Sequence, residues 1–148
     1  MIGEFLYRLA DQEARSAPVL QRVIARASPA ATLATTIGVT VYTVPSDKVL
    51  LLKSLFAAAT SGAAQTNDLL QWTIQADFAL ATFISELAAR RFTPALLNSE
   101  TFFFPDDTII MPGESLTVTG IFSAAGAANR VTGAVNGILM PKGNVQLR

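Results

Sequence analysis

The 148-residue chain contains no cysteine and no histidine. Their absence removes disulfides, thiolate nucleophiles, imidazole acid–base chemistry, Ser-His-Asp triads and the usual Cys/His zinc sites in one step. A cysteine-free chain is compatible with assembly in a reducing cytoplasm. Charge is scarce too: 15% of residues are charged, against about 25% in a typical soluble domain. Eleven Lys and Arg balance eleven Asp and Glu, so the formal net charge is zero. Nucleic acid is not an expected partner, because affinity for phosphate draws on an excess of clustered basic side chains. Long apolar runs are missing as well. The most hydrophobic stretch, residues 49–59, has 11 residues, well short of the ~20 that a membrane-spanning helix needs, and no membrane partner is expected. Glu4, Arg8, Asp11 and Glu13 interrupt the first apolar residues, so the N-terminus reads as mature protein and not as a secretory signal.

Half the residues are hydrophobic, and the length suits one domain with a single core. With so few charges, the exterior must carry many Ala, Ser, Thr and small apolar side chains, a surface suited to packing against neighbours.

Along the chain, Ile2, Phe5, Leu6 and Leu9 recur at helical spacing, with Glu4, Arg8, Asp11 and Arg15 between them, which predicts an amphipathic helix. Ser16 and Pro18 form a helix-start signal, so residues 19–27 read as a second short helix with Leu20, Val23 and Ile24 on its apolar side. Ser28-Pro29 ends it. Composition then shifts, and the expected organisation is a helical N-terminal arm over residues 1–35 followed by a β-sandwich domain over 36–148.

Within the second part, residues 37–44 and 49–58 read as strands flanking the turn Pro45-Ser46-Asp47-Lys48, a hairpin-like pair. Leu70, Trp72 and Ile74 alternate with Gln71, Thr73 and Gln75, the clearest two-residue period in the chain. Residues 79–89 fit either a helix or a strand, and are taken as a strand. Thr101-Phe102-Phe103-Phe104, residues 108–111, the alternating residues 115–122 and a last run over 131–139 complete seven or eight short strands punctuated by Pro and Gly. Such a series predicts a mainly β fold, an antiparallel β-sandwich or jelly roll.

No residue pattern recommends catalysis. Asp106 and Asp107 are adjacent carboxylates beside Pro105, but calcium needs six or more oxygens, often from alternating positions, and the pair reads as turn chemistry. Asp68, Asp77, Glu86 and Glu100 give no sequence sign of a glycosidase pair, and no metal or cofactor is expected. Arg90-Arg91, the one adjacent basic pair, reads as a solvated surface pair or as a salt bridge to a neighbouring subunit, ahead of a phosphate contact. Gly143-Asn144 is a turn, lacking the glycine-rich run and Lys-Ser or Lys-Thr ending of a phosphate loop. Trp72, in phase with Leu70 and Ile74, belongs to the buried face. Three consecutive Phe cannot all face inward, so Phe103 is the one expected outside if Phe102 and Phe104 are in the core.

An amphipathic segment beside a sandwich leaves its apolar face wet unless something covers it. Its mixed charges do not form the Lys/Arg-rich polar face of a membrane-surface helix, so protein–protein packing is preferred. The expected interface residues are Ile2, Phe5, Leu6, Leu9, Leu20, Val23, Ile24 and Phe103. Deleting residues 1–29 is expected to leave a folded sandwich that no longer assembles.

Three segments carry a resemblance: residues 41–52 around Pro45-Ser46-Asp47-Lys48, residues 110–118 around Pro112-Gly113-Glu114, and residues 133–144 with Gly137-Ile138-Leu139-Met140-Pro141. Together they resemble the small jelly-roll virion proteins of tailed bacteriophages, including capsid decoration or cement proteins. The resemblance spans most of residues 37–144 and excludes the N-terminal arm. It implies a non-enzymatic homo-oligomer, a dimer or trimer, located on the virion and assembled in the host cytoplasm. Its implied partner is the major capsid protein, whose neighbouring subunits it clamps through many modest contacts multiplied by symmetry. Two other readings remain: a tail, baseplate or head-fibre component, and a carbohydrate-binding module that would need exposed aromatics.

Overall fold

The computed structural model describes residues 20–28, 35–60, 68–78, 81–92, 97–105, 108–124 and 129–144. Within them lie nine strands: β1 (Gln21–Ala27), β2 (Thr36–Thr43), β3 (Lys48–Thr60), β4 (Asp68–Phe78), β5 (Ala81–Phe92), β6 (Leu97–Phe103), β7 (Ile109–Ile110), β8 (Ser115–Ile121) and β9 (Arg130–Pro141). Two antiparallel sheets face each other. One runs β1-β9-β3-β6 with β7 also paired to β3, and the other runs β2-β8-β4-β5. The mainly β sandwich expected from the strand series is present, and residues 81–92 form a strand.

The core lies between the sheets. Leu50, Leu52, Leu55, Val131 and Val135 from the first sheet meet Leu70, Trp72, Leu116 and Val118 from the second, all essentially inaccessible to solvent. Burial of this kind contributes about 1.5–3 kcal/mol per large apolar side chain. β8 alternates as its sequence predicts: Leu116, Val118 and Gly120 are buried, as is Phe122 just beyond, while Ile121 turns outward. In β3 the alternation changes phase. Leu52 pairs with Gly137 and Ser54 with Asn136, leaving Lys53 as an extra residue. Leu50 and Leu52 therefore point inward before this bulge, and Leu55, Ala57 and Ala59 after it.

The sheets approach closely over Gly133. A Cβ there would lie 2.7 Å from methyl carbons of both Val41 and Val118, and 2.9 Å from the Trp72 ring. Turns follow their local chemistry. Pro112-Gly113 gives a tight turn with Gly113 at φ 81°, a left-handed conformation that glycine adopts without strain. The Glu114 carboxylate accepts from Met111 N at 2.7 Å and holds the turn closed.

Two expectations need correction. Residues 19–27 were expected to form a helix in an arm outside the sandwich, but Gln21–Ala27 form strand β1, paired with β9 from Gln21↔Leu139 to Ala27↔Gly133. On a strand, Val23 points into the core and Arg22, Ile24 and Arg26 point away from it. Backbone pairing with β9 and a seat in the core for Val23 outweigh a local helix signal of a few tenths of a kcal/mol per residue. The remaining part of the expected arm, with Ile2, Phe5, Leu6 and Leu9, lies outside the described residues. The second correction concerns the hairpin. Lys48 N donates to Pro45 O at 3.1 Å, so the turn is real, but β2 pairs with β8 and β3 with β9, in different sheets. The chain crosses the sandwich there instead of folding back beside itself.

Two pairs of substitutions test this geometry. Gly133→Ala is expected to destabilise the fold by about 1–3 kcal/mol through overpacking, whereas Gly143→Ala, with nothing within 4 Å of its Cβ, leaves the urea midpoint unchanged. If residues 21–27 form a strand, Val23→Ala lowers the midpoint and Ile24→Ser shifts stability by no more than about 0.5 kcal/mol. Equal losses at both positions would contradict the strand.

Candidate interaction surface

The two outward faces of the sandwich differ in chemistry. On the four-stranded sheet, the outer rows are mostly polar: Gly38, Thr119 and Gln71 in one row, Thr40, Thr117 and Thr73 in the next, and Thr43, Ser115 and Gln75 beyond, with exposed Ile84 beside Gln75 and Ile121 at the far end of β8. Their polar groups partner one another. Thr40 Oγ1 and Thr117 Oγ1 are 3.1 Å apart, Thr43 Oγ1 and Ser115 Oγ are 2.8 Å apart, and Gln71 Nε2 donates to Glu86 at 2.7 Å.

The outer face of the five-stranded sheet mixes apolar side chains with basic and neutral polar ones. Register places Arg22, Ile138, Leu51 and Ile109 in one row, Ile24, Asn136, Ser54 and Phe103 in the next, and Arg26, Ala134, Phe56 and Thr101 in the third. Phe103 is 82% exposed, and Leu20 and Ile24 are each 58% exposed. Two concave regions mark this face. One, of about 370 Å³, is lined by Leu20, Arg22, Lys53, Asn136, Gly137 and Ile138. The other, of about 410 Å³, is lined by Arg26, Phe56, Thr132 and Ala134.

Among the described residues, charge on this face has one sign. Arg22, Arg26, Lys53 and Arg130 lie on it, whereas β1, β3, β7 and β9 contain no Asp or Glu. Glu100 of β6 lies on the other side, where its carboxylate meets Arg90 of β5 at 3.6 Å. That ion pair within the chain is the setting of the basic residue Arg90.

The expected interface residues therefore separate. Leu20, Ile24 and Phe103 share the exposed face of one sheet, while Val23 is buried in the chain's own core. Ile2, Phe5, Leu6 and Leu9 lie outside the described residues. Leu51, Phe56 and Ile138 belong to the same face and were not anticipated. Their signal was available: residues 49–52 and 55–59 are apolar almost without interruption, and a strand with one wet face would alternate instead.

Little here serves chemistry on a small molecule. Trp72 is fully buried and Phe102 and Phe104 pack against the core, so Phe103 alone of these aromatics offers a ring to solvent. Among the described residues, no three His, Cys, Asp or Glu side chains gather to hold a metal ion. Asp106 and Asp107 lie outside them. Burial raises the Tyr42 phenol above its ordinary pKa, which keeps it neutral. Among the described residues no helix is long and apolar enough to cross a membrane.

No protein-family model matches the chain, and no curated protein matches it. Among solved structures, it is similar to a chain in the structure of infectious bursal disease virus Gt strain, with a TM-score of 0.44 and 16% identity over 88% of this chain and 35% of that one. A Desmodium yellow mottle tymovirus chain gives 0.40 and 9% over 89% and 92%. The CBM22-2 xylan-binding domain of Xyn10C from Paenibacillus barcinonensis gives 0.39 and 10% over 85% and 89%. This chain spans about a third of the bursal disease virus chain. At these identities, the likeness is one of fold alone.

Proposed function

We propose that the chain is a non-enzymatic structural subunit that enters an assembled shell through the outer face of its five-stranded sheet. The observation that carries this reading is the placement of Leu20, Ile24, Leu51, Phe56, Ile138 and Phe103 together on one side of the sandwich. Contiguous apolar surface of this kind is stabilised by a covering protein, and each buried Å² contributes about 25 cal/mol. The opposite face carries mostly hydrogen-bonded Thr, Ser and Gln, with Ile84 and Ile121 as its exposed large apolar side chains among the described residues.

The finer reading is a virion protein, a capsid decoration or cement subunit of a tailed-bacteriophage head. In that role it forms homo-oligomers and binds the major capsid protein on the virion after assembly in the host cytoplasm. Two features support it. The strand order β1-β9-β3-β6 against β2-β8-β4-β5 is that of a jelly roll. The segments that carry the resemblance to such proteins fall on β2–β3, on the Pro112-Gly113 turn with β8, and on β9. Modest contacts repeated by symmetry then give the shell its strength, without any one tight site.

The test is a substitution on the outer face that leaves the core alone. Phe56→Asp is expected to keep the wild-type unfolding midpoint within about 1 kcal/mol and to abolish incorporation into native particles, seen by imaging. Wild-type incorporation of a folded Phe56→Asp chain would contradict the proposal. Imaging of labelled wild-type particles separates head from tail, baseplate or fibre.

A further inference from the structure

Strand β9 carries a chemically labile step. Of the asparagines at positions 67, 98, 129, 136 and 144, Asn136 alone is followed by glycine. Gly137 has no side chain to shield its amide nitrogen, so that nitrogen reaches the side-chain carbonyl carbon of the preceding asparagine more readily than a bulkier residue would allow. The fold itself asks for the glycine. A Cβ at 137 would lie 2.7 Å from both Leu50 Cδ1 and the Leu51 carbonyl oxygen, so no larger residue relieves the lability without disturbing the contact of β9 with β3.

Two features oppose each other here. The reaction closes a succinimide ring and needs the Asn136–Gly137 peptide turned out of the extended conformation. Yet β9 is paired on both sides, Asn136 with Ile24 and Ser54, and Gly137 with Val23 and Leu52. Strand pairing holds the step shut, and a bulge loosens that hold. The β3–β9 ladder shifts between Leu52 and Ser54, with Lys53 as the extra residue, directly opposite the Asn136–Gly137 peptide. On the other flank, β1 is the outermost strand of its sheet, and local openings concentrate away from core strands. Asn136 Nδ2 donates to Ser54 Oγ at 3.4 Å, a long hydrogen bond. Asn136 and Gly137 also line the concave region of about 370 Å³ on the outer face, which water can enter.

We infer that Asn136–Gly137 is a site of spontaneous deamidation, reached through local opening of β9 beside the Lys53 bulge. The Gly137 amide nitrogen attacks Asn136 Cγ, the new N–C bond forms, the Cγ–Nδ2 bond breaks, and ammonia leaves with the proton released by Gly137. Water then opens the cyclic imide at either carbonyl, giving aspartate or isoaspartate. Either product puts a carboxylate on a face whose described charges are Arg22, Arg26, Lys53 and Arg130. Isoaspartate also routes the main chain through an extra methylene, so β9 no longer keeps register with β1 and β3 on both sides of position 136. An opening that lasts long enough for the reaction thereby becomes irreversible. The inference goes beyond the assembly role and holds whether or not a partner covers the outer face.

Trypsin makes the site readable, because the fragment 131–142, released by cleavage after Arg130 and Lys142, has Asn136 as its one asparagine. The full-length chain is incubated at neutral pH in buffer, in urea below its unfolding midpoint and in urea above it, and the mass and isoaspartate content of the fragment are followed with time. Conversion in buffer is expected about 10- to 100-fold more slowly than in the unfolded chain, as local opening allows, at a rate that urea below the midpoint leaves unchanged. Asn98 and Asn129, on the fragment 92–130, are expected to stay amides over that period. The Asn136→Asp chain is expected to keep the wild-type urea midpoint, and the isoaspartate-containing chain to unfold at a lower one. The inference is overturned by a rate in buffer equal to that of the unfolded chain, or by no conversion in buffer over about a hundredfold longer time than the unfolded chain needs. A rate that climbs with urea from the lowest concentration, the mark of global unfolding, overturns it too. So does equal conversion at Asn98 or Asn129, while an isoaspartate-containing chain with the wild-type midpoint would overturn the loss of register.

Discussion

A β-sheet with apolar side chains on both faces must be covered twice, and that constraint governs this molecule. β3 and β9 form the middle of the five-stranded sheet, paired from Lys48↔Pro141 to Thr60↔Arg130. Their inward side chains, Leu50, Leu52, Leu55, Val131 and Val135, are covered by Trp72, Leu116 and Val118 of the other sheet. Their outward side chains, Leu51, Phe56, Ala134 and Ile138, have no third layer from the described residues. The first covering makes the fold, and the second is what the proposed assembly would supply.

The inner covering depends on close approach. Gly133 sits where a side chain would collide with Val41, Val118 and Trp72, and at Gly137 a Cβ would come within 2.7 Å of both Leu50 and the Leu51 carbonyl. Both glycines lie on β9 at inward positions: Gly133 leaves room for side chains of the other sheet, and Gly137 for Leu50 of the adjoining strand β3. Among the described residues no acceptor reaches the buried Trp72 Nε1, and the large ring is held by its packing.

Much of this was legible from residue order, and the exceptions share one cause. Period-two patterns at Leu70-Trp72-Ile74 and Leu116-Val118 located strands and their buried faces, since alternation is a local property. The outward position of Phe103 followed from its two Phe neighbours for the same reason. Residues 21–27 carry two compatible patterns, and only pairing with β9, more than a hundred residues away in the chain, selects the strand. The turn at Pro45 was readable, yet a turn does not say whether the next strand stays in the same sheet. The outer apolar residues of β3 were legible in principle from the apolar runs on either side of Lys53-Ser54, but the bulge at Lys53 hides which residues share a side. Deleting residues 1–29, the natural experiment for an external arm, would also remove β1 and the core residue Val23; a deletion ending before Leu20 spares both.

The central claim is that the isolated sandwich is incompletely covered and completes itself with protein. Sedimentation equilibrium of the full-length wild-type chain across a range of concentrations tests it most directly. The account predicts a mass that is a multiple of 15.7 kDa and that dissociates on dilution. A single 15.7 kDa species at every concentration, with its outer face in water, would contradict it.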